Sequence, residues 1–187
     1  MSYFEFNSLD MEGAFLIDHF YSWDMRGSFS KHFERDYYCE AGIDFNLTET
    51  FTSISAKNVV RGLHFQLKKP QGKLITVLSG GAWDVIVDLR RDSITYKHWM
   101  TVELTENNHR SLYIPRGFAH GFVSLEDKTI MLYQCDGKYD PESDSGIRFD
   151  DLQLGIEWPI DLKEALISKK DLQLPSFEEY EKNPMML

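Results

Sequence analysis

Period-two alternation of apolar and polar residues marks the middle of the chain. Leu74-Ile75-Thr76-Val77-Leu78 is a β-prone run, and Ser79-Gly80-Gly81 follows it. Beyond the glycines, Trp83, Val85, Val87 and Leu89 alternate with Ala82, Asp84, Ile86 and Asp88. Alternation on both sides of a Gly-Gly turn predicts a β-hairpin with one face buried. Similar short runs recur at residues 99–104, 111–114, 118–123 and 130–135, broken by Asn107-Asn108, Pro115-Arg116-Gly117 and Glu126-Asp127-Lys128. Many short strands at close spacing predict an all-β sandwich or barrel. Helices are scarce: residues 33–41 read as a short one stopped by Gly42, the usual left-handed residue past a helix end. Ser176-x-x-Glu179 after Pro175 has capping-box form and predicts a last short helix.

The chain has 187 residues, and neither a repeat nor a low-complexity segment divides it, so one domain spanning 1–187 is expected. Hydrophobic residues make up 42% and aromatics 14%, enough for burial to outweigh chain entropy. A net charge of −10 excludes a broad basic surface for nucleic acid, though a few cations converging on a small anion remain compatible with it. Cys39 and Cys135 form neither a CxxC nor a His–Cys ligand spacing and read as a reduced cytosolic pair. Met1–Phe6 lacks the basic and apolar regions of a signal peptide, and no apolar run reaches membrane-spanning length, so a soluble cytoplasmic protein is expected. The tail Met185-Met186-Leu187 is expected to fray or pack, without function.

Two segments carry candidate chemistry. In Arg61-Gly62-Leu63-His64-Phe65-Gln66, a strand would point His64 and Gln66 to one face, and Gly62 suggests a bulge that turns Arg61 there too. In Pro115-Arg116-Gly117-Phe118-Ala119-His120-Gly121-Phe122, a histidine among aromatic and small residues would be partly desolvated, with a shifted pKa. Each histidine alone reads more readily as a structural one.

Together with Asp24-Met25-Arg26-Gly27-Ser28-Phe29, Gln71-Gly72-Lys73-Leu74, Asp84-Val85-Ile86-Val87-Asp88-Leu89-Arg90, Gly155-Ile156-Glu157-Trp158-Pro159 and Ser168-Lys169-Lys170-Asp171, these segments form an ordered set. That set resembles the dTDP-4-dehydrorhamnose 3,5-epimerase family over nearly the whole chain. The resemblance implies a cupin-type jelly-roll barrel, a homodimer, and a nucleotide-diphosphate 4-keto-6-deoxyhexose as substrate, with no cofactor. Protons beside the ketone leave through an enolate and return on the opposite face, which requires a base, a donor across the ring and stabilisation of the oxyanion.

By the same resemblance His64 is the base, Asp171 its orienting carboxylate, Tyr133 the proton donor and Lys73 the cation beside the ketone. Read without it, Ser168-x-x-Asp171 is a capping pair, Tyr133 a strand aromatic and Lys73 a solvated strand end. Arg26, Arg61, His120 and Lys170 map to diphosphate and sugar contacts, Tyr139 to the nucleotide, and Phe29 and Gln71 to the matched binding segments. Asp144 stands where the family places a glutamate, Lys31 where it commonly has an acid, and Glu49 and Phe51 where it shows a Gln-x-Asn element. The last three change polar contacts, since lysine cannot accept a hydrogen bond, so a C3-only enzyme or one taking a CDP-sugar stays open.

Two other classes compete. Metal-dependent cupin enzymes need a carboxylate after H-x-H, but Lys68, Lys69 and Pro70 follow His64-Phe65-Gln66, and Ser124 stands for an asparagine in the second motif, so no metal ligand set is expected. A non-catalytic sugar-nucleotide binder would not need His64, Lys73, Tyr133 and Asp171 together.

Overall fold

In the computed structural model, residues 3–185 are described; Met1, Ser2, Met186 and Leu187 lie outside the described residues. The strands are β1 (Phe4–Ser8), β2 (Phe15–Asp24), β3 (Gly27–Lys31), β4 (Glu49–Ser55), β5 (Val59–Gln66), β6 (Lys73–Ser79), β7 (Gly81–Asp88), β8 (Trp99–Thr105), β9 (Arg110–Ile114), β10 (Phe118–Ser124), β11 (Thr129–Cys135), β12 (Asp144–Gly146) and β13 (Leu166–Ile167). Two six-residue helices, α1 (Arg35–Glu40) and α2 (Phe177–Lys182), are peripheral. One sheet of seven strands runs β1-β2-β9-β6-β11-β4 with β3 on β2, and one of six runs β12-β5-β10-β7-β8 with β13 on β5. Every pairing is antiparallel except β13 on β5. The architecture is the expected cupin-type jelly-roll barrel.

Three apolar layers build it. Between the sheets, Ile75, Leu112, Met131 and Tyr133 from one meet Ala82, Ile86, Leu104 and Phe122 from the other. Outside the six-stranded sheet, Val85, Val87 and Leu63 pack under Ile147, Leu154, Phe177, Tyr180 and Met185. Outside the seven-stranded sheet, Ile17, Leu74 and Tyr113 are covered by Tyr38, Ile43 and Phe45. Each fully buried aliphatic or aromatic side chain contributes roughly 1.5–3 kcal/mol.

The hairpin expected at Gly80-Gly81 is absent. β6 lies between β9 and β11, whereas β7 lies between β10 and β8 in the opposite sheet. The chain steps across the barrel through Gly80, whose φ is +75° and whose missing Cβ would lie 2.7 Å from Thr129 Oγ1. Alternation reports which way side chains face and says nothing about the partner. The exposed face expected for β7 is also corrected. Trp83, Val85 and Val87 face the C-terminal layer, while Ala82 and Ile86 face the barrel interior and Asp84 is fully buried. Both faces are covered, as in any sheet between two apolar layers.

The two helices form as expected. α1 ends before Gly42 at φ +82°, and Ser176 and Glu179 make the reciprocal capping box of α2. Met185 is buried beneath α2.

Candidate active site

The bulge expected at Gly62 is present: His120 pairs with His64 but Phe122 pairs with Arg61, one extra residue on β5. Gly62 has φ +107°, and a Cβ there would lie 2.6 Å from His120 O and 2.7 Å from Gly121 Cα. Only glycine allows β5 and β10 to approach this closely. The bulge brings Arg61 to the same cavity as His64 and Gln66, a space of about 490 Å³ at the barrel mouth.

His64 Nε2 lies 2.9 Å from Asp171 Oδ1, and Gly62 N–H donates to Asp171 Oδ2 at 3.2 Å. Among the described residues Nδ1 of His64 makes no hydrogen bond, which leaves it for a ligand. Burial alone would raise the Asp171 carboxyl, but the hydrogen bond and charge of His64, with Gly62 N–H, hold it below the usual carboxylate range. The capping alternative is half realised: Asp171 N–H donates to Ser168 Oγ at 3.0 Å while the carboxylate goes to His64. Asp171 stands behind the histidine and does not line the cavity.

Tyr133 enters from the facing sheet, its ring 8% exposed. Burial, with the Asp84 charge, pushes its phenol far above the ordinary value, so the proton stays on it at neutral pH. Phe51 lies flat against it, with ring centroids 4.8 Å apart and an interplanar angle of 7°. Lys73 Nζ donates to His64 O at 3.2 Å, and burial lowers its ammonium pKa.

His120 carries a partner that the sequence reading did not assign. Its Nε2 lies 2.5 Å from Oδ1 of Asp84 on β7, and both side chains are buried. Burial pushes His120 down and Asp84 up, each toward its neutral form. The available signal was a charged residue, Asp84, between Ala82 and Ile86 in an otherwise apolar stretch.

At the outer end, Asp144 Oδ2 accepts from Tyr139 Oη at 2.9 Å and pairs with Lys170. Both Glu49 oxygens are engaged, by Gln71 Nε2 at 3.2 Å and by Tyr139 N–H at 3.1 Å, so Glu49 clamps the Tyr139 loop. The cavity thus gathers Glu49, Phe51, Arg61, His64, Gln71, Lys73, His120, Tyr133, Tyr139, Asp144 and Lys170.

Arg26, Phe29 and Lys31 do not join them within this chain. They lie on the β2–β3 hairpin, where Arg26 pairs with Asp24 at 2.6 Å, Lys31 pairs with Glu34, and Phe29 is 61% exposed. Cys39 and Cys135 are free, and Cys135 lines the cavity. Among the described residues no three His, Cys, Asp or Glu side chains converge to hold a metal ion, and no helix is long and apolar enough to cross a membrane.

A histidine backed by a carboxylate, a buried phenol on the opposite wall and several cations define a proton-transfer site for an anionic ligand. The chain belongs to the dTDP-4-dehydrorhamnose 3,5-epimerase family, whose model matches residues 8–179. The dTDP-4-dehydrorhamnose 3,5-epimerase of Methanothermobacter thermautotrophicus is 42% identical over 188 residues, 100% of both chains. The crystal structure of the Sulfolobus tokodaii dTDP-4-dehydrorhamnose 3,5-epimerase superposes with a TM-score of 0.87 at 42% identity, covering 95% of this chain and 97% of that one. The dTDP-6-deoxy-D-glucose-3,5-epimerase of Legionella pneumophila, in complex with dTDP-4-keto-L-rhamnose, gives a TM-score of 0.91 at 35% identity over 98% and 99% of the two chains.

Proposed function

We propose that this chain is one catalytic domain that epimerises a dTDP-4-keto-6-deoxyhexose at C3 and C5, acting as a cytoplasmic homodimer. The observation that carries the reading is the His64–Asp171 pair on one wall of the cavity with the protonated Tyr133 phenol on the other. His64 Nδ1 takes the proton from the carbon beside the ketone, and the C–H electron pair moves to the 4-keto oxygen as an enolate. The Lys73 ammonium neutralises that oxygen. Tyr133 returns a proton to the other face of the carbon, and water resets imidazolium and phenolate.

Arg61, His120 and Lys170 hold the diphosphate and sugar, and Tyr139, steadied by Asp144 and Glu49, packs on the nucleotide. The partner's β2–β3 hairpin brings Arg26, Phe29 and Lys31 to this end of the cavity. That hairpin is rich in exposed apolar side chains, with Trp23 at 73% and Met25 at 97% exposure.

The test is NMR of dTDP- and CDP-4-keto-6-deoxyglucose with the protein in deuterated water. Deuterium at C3 and C5 of the dTDP-sugar, with inverted product, is expected. Exchange at one carbon, or with the CDP-sugar alone, would replace this reading by the narrower or nucleotide-shifted one. No exchange with either substrate would overturn catalysis on these sugars.

A further inference from the structure

We infer that Phe51 is a positioning residue for the Tyr133 phenol, its ring acting as a fixed wall that sets where Tyr133 delivers its proton. The inference rests on the epimerase reading and names a device specific to this cavity.

Phe51 and Tyr133 are registered partners across β4 and β11. The neighbouring registered pairs are Glu49 with Cys135 and Ser53 with Met131, and β4 is the edge strand of its sheet. Alternation turns Glu49, Phe51 and Ser53 to the same side, and all three line the cavity. Phe51 therefore has one face on Tyr133 and remains 49% exposed, an unusual state for a phenylalanine whose only role is core packing.

Hydrogen bonding does little to hold the phenol. Tyr133 Oη lies 3.8 Å from Met131 Sδ, a weak acceptor, and the neighbouring Ser53 Oγ, near enough to pull the phenol's pKa down slightly, falls short of hydrogen-bond geometry. A tyrosine ring pivots about two side-chain torsions, and its hydroxyl sits at the end of the lever. The flat contact, 4.8 Å between centroids at 7°, restrains both torsions where the hydroxyl makes no strong bond. Phe51 also keeps water from one face of the phenol, which reinforces the burial that keeps the proton on it. A polar residue at position 51 would offer the hydroxyl a hydrogen bond in place of a wall.

The experiment compares wild type with Phe51→Ala, Phe51→Leu, Tyr133→Phe and the double variant Phe51→Ala/Tyr133→Phe. Phe51 is half-exposed on an edge strand, and Phe51→Leu keeps its bulk, so a folded variant is available for assay. Two rates are read in deuterated water: deuterium entering recovered starting sugar, which needs His64 but not Tyr133, and formation of inverted product, which needs both. Phe51→Ala should lower inversion by about 10- to 10²-fold while exchange stays within about threefold. In the Tyr133→Phe background the same change should have no further effect, because both act through one hydroxyl. Equal loss of exchange and inversion, or independent multiplication of the two defects, would overturn the inference.

A second readout does not depend on turnover. With tyrosine labelled at the ring carbon bearing oxygen, Phe51→Ala should move the Tyr133 titration down toward the value of free tyrosine. An unchanged titration would overturn the inference even if the sugar reaction were confirmed. A shifted titration in a protein that turns over neither sugar would uphold the wall and reject the epimerase reading.

Discussion

His64 and His120 stand directly opposite each other across β5 and β10, and each ring is held by a different buried aspartate. Asp171 reaches His64 from the turn after β13, and Asp84 reaches His120 from β7. Their environments separate the roles. His64 is half-buried, and its partner Asp171 is held below the usual carboxylate range. His120 is buried, fixed by Asp84 and pushed toward its neutral form.

Asp171→Asn therefore should lower kcat by about 10²- to 10⁴-fold, because the amide no longer stabilises the imidazolium or fixes its tautomer. dTDP affinity, measured by calorimetry, should stay within about threefold. Loss of affinity with kcat retained would show that Asp171 merely shapes the pocket.

The strands from β8 to β11 and both caps are legible in the sequence because alternation and turn residues are local signals. The topology is not. The switch of sheets at Gly80 depends on the contact with Thr129, 49 positions away and invisible to any local window. β1 to β4 carry short alternations diluted by polar residues and read as strands only once paired. At the site, the resemblance picks out Asp171, which local chemistry assigns to a cap. The structure shows why both readings had force, since the backbone takes the cap and the carboxylate takes His64. Asp84 was hidden in the face of β7 that alternation assigns to solvent.

Gly62→Ala tests the bulge. A methyl group 2.6 Å from a backbone oxygen and 2.7 Å from a backbone Cα has nowhere to move, and φ +107° strains any side chain. The variant should lose about 3 kcal/mol or more in denaturant unfolding, with Arg61 and His64 displaced and activity lost. Unchanged stability would mean that the strands can separate there at little cost.

Acid should destabilise the fold through His19. Its Nε2 lies 3.3 Å from His32 Nδ1, and burial, aided by the His32 charge, lowers its pKa from 6.5 to about 4. The unfolded chain takes up this proton below pH 6.5 and the folded chain only near pH 4, so stability falls as pH falls through that window. The loss should be about 2 kcal/mol, allowing for solvent around the pair. His19→Gln should flatten this part of the stability profile measured by denaturant unfolding, and an unchanged slope would assign it to other groups.

The β2–β3 hairpin can be tested for action in trans. Arg26→Ala/Phe29→Ala should lower activity by at least about tenfold, although neither residue lines the cavity of its own chain. His64→Ala should be inactive for a separate reason, the loss of the base. Mixing the two proteins and allowing subunits to exchange creates dimers with one complete site, in which an intact hairpin from the His64→Ala chain meets an intact base in the other. In a symmetric dimer with random exchange, activity should recover to about a quarter of wild type. If the hairpin served its own chain, every site in the mixture would remain defective and mixing would restore nothing.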